Sequence, residues 1–544
     1  MPLITMKRFF LLLALVASVF SVFAQEYPNA KVEWGPEENH NREFLKGVLG
    51  TYADYTYTLW ITRNSYRIQK LDRKLNMVKE ASFDLEYNGK SMVYQFATVH
   101  GDEIRVFTSF WNRKTKKNFL LEQSIDPITL SASKPMESIG SIATQNNRFT
   151  LHLGGHSSTV VTGDFGYNVS RDQNKLMVFY ENPDAKPGYE GFTFQVFDKN
   201  FKKEWEKTVE LPYVNEMFTV YGLQVDNAGN IHISGREYLP GSRNGRRGSR
   251  NFNYRVISWY QDSDRVTDYK VALPSEKLIR DMQFAFNDKG HLICSGFYSN
   301  GSVAGIKGAY FMRIDPKENK VLSRSDKEFD FEFITQDMNE RQKERAARRE
   351  ANGKDVNLFE YDLDEIVIRE DGGAVLIGEQ YYVEEVERSR YNPSTETWTE
   401  TTTYHYYYND IIVVNISPEG EIEWNLRIPK YQHSINDNGF RSSYHLMVVE
   451  NQMCFLFYDD DDNFDVPIDE EPGRSSYESL ALVALDLSGD SKKYKLIAEE
   501  EIELRFIPKY FERLSDKEVL LYGFQGGFLG FGRQQYQFSR LVFE

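Results

Sequence analysis

A short run of alternating apolar residues follows a turn of the D/N-x-x-G type, and the combination keeps returning along the chain. Asp226 opens DNAGNIHISG, Asn287 opens NDKGHLICSGF and Glu370 opens EDGGAVLIGEQ. A second apolar strand answers each run and closes on Asp or Asn: FQVFD at Asp198, YFMRID at Asp315, IIVVN at Asn415 and LVALD at Asp486. Period two within a run predicts buried or half-buried strands, and Gly with Asp or Asn between runs predicts tight antiparallel connections. The pairs recur every ~50 to 70 residues, the spacing of a repeat fold assembled from small sheets.

Sorted in this way, the strands fall into sets over 44–84, 91–138, 167–211, 218–273, 279–329, 361–428, 444–504 and 507–544. The last set lacks a fourth strand, which would leave an unpaired sheet edge. Near the start of the chain, Lys31-Val-Glu-Trp34 resembles the outer-strand segments ending at Trp424 and Trp205. The expected fold is therefore all-β: a single β-propeller over residues 25–544, with eight blades (seven as the alternative), closed by an N-terminal strand. Polar residues surround the stretch Thr335 to Gly353, which predicts one helical insertion capped by Thr335 or Asp337. A projecting hairpin is predicted over 381–410.

Strands in a blade alternate direction, so second-to-third and blade-to-blade connections emerge on one face and the remaining connections on the other. Nearly all insertions fall in the first group. One face is plain and the other decorated, and loops on a rigid scaffold carry function disproportionately.

The N-terminus adds a location. Lys7 and Arg8 precede the apolar run Phe9 to Phe20, and Val22 and Ala24 supply the small-residue pattern of a cleavage site before Gln25. Residues 1–24 thus read as a secretory signal peptide, and the mature chain as exported to the periplasm or beyond, with no further membrane-spanning segment. The formal net charge is −16, and the leader removes two basic and no acidic residues. That balance disfavours nucleic acid and anionic membranes as partners. Cys294 and Cys454 lie inside apolar strands of non-adjacent sets, which predicts buried free thiols.

Candidate chemistry concentrates on the decorated face. Arg243, Arg246, Arg247 and Arg250 share one Gly- and Ser-rich loop, either a grip for carboxylates, sulfates or phosphates or a solvated loop. The hairpin offers Trp398, Tyr404, Tyr406 and Tyr408 as anchors for a protein or a sugar ring, unless it is folded down and its rings are merely packed. Asp459, Asp461, Asn463, Asp465 and Glu470 match the ligand spacing of a calcium loop, with Phe464 where the turn calls for Gly. The alternative is a solvated acidic loop, and no other cofactor is expected. Serine-elbow, phosphate-loop and helical zinc motifs are missing. Glu216, Asp281, Asp364 and Glu365 on inner strands remain as acids that a carbohydrate-active enzyme would place around the axis.

The repeat D-x-x-G-x-Φ-x-Φ-x-G over most of the mature chain resembles that of exported bacterial β-propeller proteins. The resemblance implies a rigid platform and no particular ligand. The expected function is a non-catalytic binding or scaffold protein of the bacterial envelope that recognises a protein or glycan. The alternative is a glycoside hydrolase or lyase.

Overall fold

The computed structural model describes residues 30–39, 43–143, 160–161, 165–182, 184–239, 252–274, 277–301, 305–394, 396–449, 452–468, 470–526 and 534–544. The arrangement is β-rich and propeller-like. Among the described residues, eight antiparallel sheets of four or five strands follow one another, with inner strands starting at Phe44, Val93, Phe165, Phe218, Lys277, Tyr361, His445 and Glu512. These are called the first to eighth sheets below. The N-terminal strand Ala30–Asn39 lies on the outer edge of the eighth, paired with Gln535–Phe543.

The repeated turns explain why the strands pair locally. Asp226 Oδ1 accepts the N–H groups of Ala228 (2.9 Å) and Asn230 (2.8 Å), while Gly229 takes a positive φ of 84°. Asn287 with Gly290, and Asp486 with Gly489, repeat the arrangement. This is a type I turn closed by a left-handed residue, which fixes hairpin register.

Apolar side chains alternate onto both faces of each sheet, and a separate core fills the space between every successive pair. Phe194 and Val209 of the third sheet meet Phe218 and Ile233 of the fourth. Cys454 and Leu482 of the seventh meet Val519 and Leu541 of the eighth. The same holds between the eighth and the first, where Leu45 and the buried Trp60 pack on Tyr522, Tyr536 and Phe538. Each fully buried aromatic ring contributes about 1.5–3 kcal/mol by removal from water. Both cysteines are free and buried, in separate cores.

The helical insertion differs from its prediction. Helix α1 spans Phe331–Thr335 and helix α2 spans Glu340–Ala351. Neither Thr335 nor Asp337 caps the long helix. Asn339 does so, accepting from Gln342 N–H at 3.1 Å while the Gln342 side chain accepts from Asn339 N–H at 2.8 Å. Reciprocal capping satisfies two donors at once, which favours the later start. No helix among the described residues is long and apolar enough to cross a membrane.

Candidate functional site

A cavity of about 1510 Å³ runs between the inner strands, and all eight sheets contribute to its wall. Inner strands run from the decorated face toward the turns of the plain face, and the cavity wall extends to those turns at Gly101, Asn227, Asn287, Asp371 and Lys517. The first residues of the strands stand beyond its other end, the decorated mouth. What stands there is set by the last glycine of the repeat. A β-carbon at Gly296 would lie 2.1 Å from the Asp281 carbonyl oxygen, and one at Gly378 would lie 2.8 Å from that of Asp362. Only glycine admits such an approach. The neighbouring inner strand can therefore break register, as it does between Leu363 and Glu365. A bulge re-aims side chains, and here it brings acids to the mouth.

Asp364 is buried, with its carboxylate accepting from Tyr444 OH at 2.9 Å across the boundary with the seventh sheet. Burial, and next the charge of Glu379, push it well above the usual carboxylate range. Glu379 directly follows the repeat glycine. It accepts from Ser443 Oγ at 2.8 Å and is held by Lys430 Nζ at 2.8 Å. Lys430 also donates to Tyr408 O (2.7 Å) and Gln432 Oε1 (3.2 Å). Asp362 is exposed at the rim, yet burial of its surroundings and the charges of Asp281 and Glu379 raise it to about 6. Asp281 is raised by burial, which the Arg236 guanidinium opposes from 3.6 Å. Arg236 donates to Tyr221 OH (2.9 Å) and Tyr254 OH (2.8 Å) and lies 4.3 Å from the Tyr221 ring, a cation–π contact. Deeper in the cavity, burial lifts Glu365 and Glu512 to about 7, with Arg513 tempering Glu365.

Of the four inner-strand acids expected from sequence, the cavity wall holds Asp364 and Glu365, while Asp281 lies outside that wall, beside Arg236 and near enough to Asp362 for its charge to be felt there. Glu216 sits instead in a surface 3-10 turn, Asn215–Met217. Asp362, Glu379, Glu512 and Arg236 escaped the sequence reading. A usable signal existed for two of them, since Glu379 and Arg236 are charged residues placed directly after a repeat glycine in an apolar strand.

One consequence is measurable. A carboxyl raised by the fold binds its proton more tightly folded than unfolded, so its stabilisation is complete below its unfolded value and lost as pH rises through the folded one. For Glu365 that window runs from 4.5 to about 7. Glu365→Gln is expected to raise stability at pH 8 by at most about 3.5 kcal/mol, at about 1.4 kcal/mol per pKa unit, and to leave it unchanged at pH 4. Denaturant titrations at both pH values check this, and equal effects at the two would exclude titration of Glu365.

The projecting hairpin pairs residues 381–392 with 397–408, and its arms continue without a break from the sixth sheet in strands Ala374–Asn392 and Thr397–Ile416. Its base is packed: Tyr408 lies 4.6 Å from Tyr381 by ring centroid and accepts from Lys509 Nζ at 3.0 Å, while Tyr406 OH donates to Asn438 at 2.7 Å. Its end is free. Tyr404 is exposed, and beyond it Tyr391 and Trp398 pair at 5.2 Å with Trp398 68% exposed. The folded-down and projecting readings thus each describe one half.

Side chains of the acidic loop have other partners in this structure. Asp459 is ion-paired with Lys493, and Asp461 with Lys495 at 2.9 Å. Asn463 turns an amide N–H toward Asp459 (2.7 Å), a donor where a cation needs an acceptor, while Asp465 and Glu470 face solvent. Phe464 lies under both lysines, at 5.1 and 4.9 Å from their ammonium groups. Among the described residues no group of three His, Cys, Asp or Glu is arranged to hold a metal. The residues Arg243, Arg246, Arg247 and Arg250, and the leader 1–24, lie outside the described residues.

No protein-family model matches the sequence, and neither does any curated protein. Among solved structures, the polysaccharide lyase Uly1 is similar at 8% identity over 94% of this chain and 92% of its own, with a TM-score of 0.39. The β-propeller domain of the trilobed protease from Pyrococcus furiosus is similar at 10% identity (85% and 99% covered, TM-score 0.32). A cobalt-substituted Synechocystis apocarotenoid oxygenase is similar at 11% identity (87% and 94% covered, TM-score 0.33). None of these likenesses transfers a ligand or an activity to this chain.

Proposed function

We propose that the eight sheets form one eight-bladed ring closed by the N-terminal strand, and that the protein is a non-catalytic binding or scaffold protein of the bacterial envelope. Its recognition surface is the decorated face, and its ligand is a protein or a glycan. The observation that carries this reading is where exposed aromatic surface lies. Trp398, Tyr391 and Tyr404 stand on the hairpin, and Phe44, Phe359 and Phe440 precede or begin inner strands around the same face. Trp34, on the outer edge of the eighth sheet, is the one other exposed aromatic ring among the described residues. Apolar surface concentrated in this way on one side of a rigid body marks a contact site. Trp and Tyr pack on protein or stack on sugar with little loss of side-chain freedom.

Trp398→Ala with Tyr391→Ala is expected to lower capture of a partner from envelope extract, or retention on a glycan array, by roughly tenfold or more, as a lost hot spot does. The melting temperature should stay the same, because neither ring is in a core. Equal capture by both proteins would sink the assignment of the hairpin end.

The second reading is a carbohydrate-active enzyme, favoured by the raised carboxyls Asp362, Asp364 and Asp281 at the mouth. A carboxyl near 6 is suited to proton transfer at neutral pH. Release of new reducing ends from a polysaccharide panel, abolished by Asp362→Asn, would replace the binding reading with this one.

A further inference from the structure

At the base of the hairpin four rings form one row, three of them stacked and the fourth, His405, edge to edge with His433. Tyr382 and Tyr407 are 4.6 Å apart, Tyr407 and His433 4.6 Å, and His433 and His405 5.1 Å, with interplanar angles of 12° to 15°. Tyr382 belongs to the first hairpin strand, Tyr407 and His405 to the second, and His433 to a short strand, Gln432–Ile435, laid antiparallel along the second. That strand begins a strap. Asn436 N–H donates to Tyr404 O at 2.9 Å, Asn438 accepts from Tyr406 OH, and Gly439 O accepts from Lys509 Nζ at 2.7 Å. Asn436, Asn438 and Gly439 all adopt positive φ, so past Ile435 the strap leaves the ladder and is held by single bonds such as these.

Within the row, His405 Nδ1 and His433 Nε2 are 2.9 Å apart. Such a contact holds when at least one ring nitrogen offers a lone pair. Two neutral rings satisfy it, with one N–H donating to the other nitrogen, and a single added proton keeps it as a charged hydrogen bond. A second proton leaves two N–H groups and two positive charges facing each other with no acceptor.

We propose that the His405–His433 contact is a pH-operated clasp, which holds the strap on the hairpin and releases it once both rings are protonated. The clasp rests on the reading of the hairpin as the recognition element, and it adds the means by which acid would loosen that element. The charged and titratable groups facing His433 are His405, Glu384 on the first hairpin strand and Asp437 in the strap, with Tyr407 OH near Glu384 at 3.5 Å. The two carboxylates favour the protonated ring. Burial, and next the His405 ring, oppose it and prevail, so His433 titrates below its ordinary value. The unfolded segment therefore takes up the proton first. The contribution of the clasp is complete above pH ~6.5 and is lost as pH falls through the folded value.

The test needs no partner. Hydrogen exchange of peptides covering residues 430–441, corrected for intrinsic rates, is compared at pH ~7.5 and ~5, where a loss of protection of about tenfold or more is expected. In His405→Gln the amide oxygen still accepts from a protonated His433, so protection should persist at the lower pH. An undiminished protection in the wild type would overturn the clasp. So would the same loss in His405→Gln, which would assign control to Glu384 or Asp437. Should His405→Gln loosen the strap at every pH, titration of the wild-type imidazole resonances decides. Two values split by about one unit or more support the clasp, and two unperturbed values near ~6.5 refute it. A failed clasp leaves the binding assignment standing, because that is read from Trp398 and Tyr391 with no pH change.

Discussion

Deleting residues 30–39 is expected to destabilise the fold by on the order of 5 kcal/mol and to make the protein self-associate. The segment forms an antiparallel ladder with Gln535–Phe543, from Ala30 opposite Phe543 to Asn39 opposite Gln535. Each ladder bond contributes about 0.5–1.5 kcal/mol net, from which the cost of ordering the segment is subtracted. Side chains add to this. Ala30 and Val32 pack against the core between the seventh and eighth sheets, Trp34 stacks on Phe506 at 5.8 Å, and Glu33 is ion-paired with Arg540. Gly35 O accepts from the buried Gln537 at 2.9 Å. Loss of the strand leaves Gln535–Phe543 with a free row of N–H and C=O groups, the template on which edge strands aggregate. A domain has about 5–15 kcal/mol in all, so the loss is a large fraction of it. Thermal melts and light scattering measure both effects. An unchanged midpoint in a monomeric protein would show that this strand does not protect the edge of the eighth sheet.

The contrast between this strand and the turns shows what was legible in the sequence. Asp226, Gly229 and Asn230 lie within five residues, so the chemistry that pairs two strands is written in one short string. The same string told where sheets begin and end. Pairing of Trp34 with Ser539 spans the whole chain, and only the likeness of Lys31–Trp34 to other outer strands hinted at it. The mouth was legible in part for the same reason. Asp281, Asp364 and Glu365 could be suspected as acids on inner strands. Their setting comes from residues far away: Tyr444 lies 80 positions beyond Asp364, and Ser443 lies 64 beyond Glu379. In the acidic loop, spacing alone does not show that Lys493 and Lys495, on the strand Ser491–Ile497, turn toward Asp459 and Asp461. The helix start was missed because Thr335, Asp337 and Asn339 are all plausible caps by type. Only the partner at the third helical position distinguishes Asn339, and Gln342 was there to be read.

Lys430 joins the two parts of the decorated face, and replacing it should be costly in a way that a second substitution repairs. Its side chain is fully buried between Glu379 at the mouth and Tyr408 O and Gln432 at the base of the hairpin. Lys430→Met keeps the stem and its packing while removing the charge. Glu379 is then left buried, with Ser443 as its remaining side-chain partner in this cluster. Breaking a buried pair from one side typically costs about 3–5 kcal/mol, most of it the uncompensated charge. Adding Glu379→Gln removes that charge, and a neutral pair in place of a buried ion pair is often close to neutral in stability. The double variant is therefore expected to recover to within about 1–2 kcal/mol of the wild type, a strongly non-additive result for residues in direct contact. Denaturant unfolding of the four proteins completes the cycle. If the double variant is as unstable as Lys430→Met alone, the bonds from Lys430 to Tyr408 O and Gln432 are what the fold depends on. Glu379 would then be a bystander at the mouth.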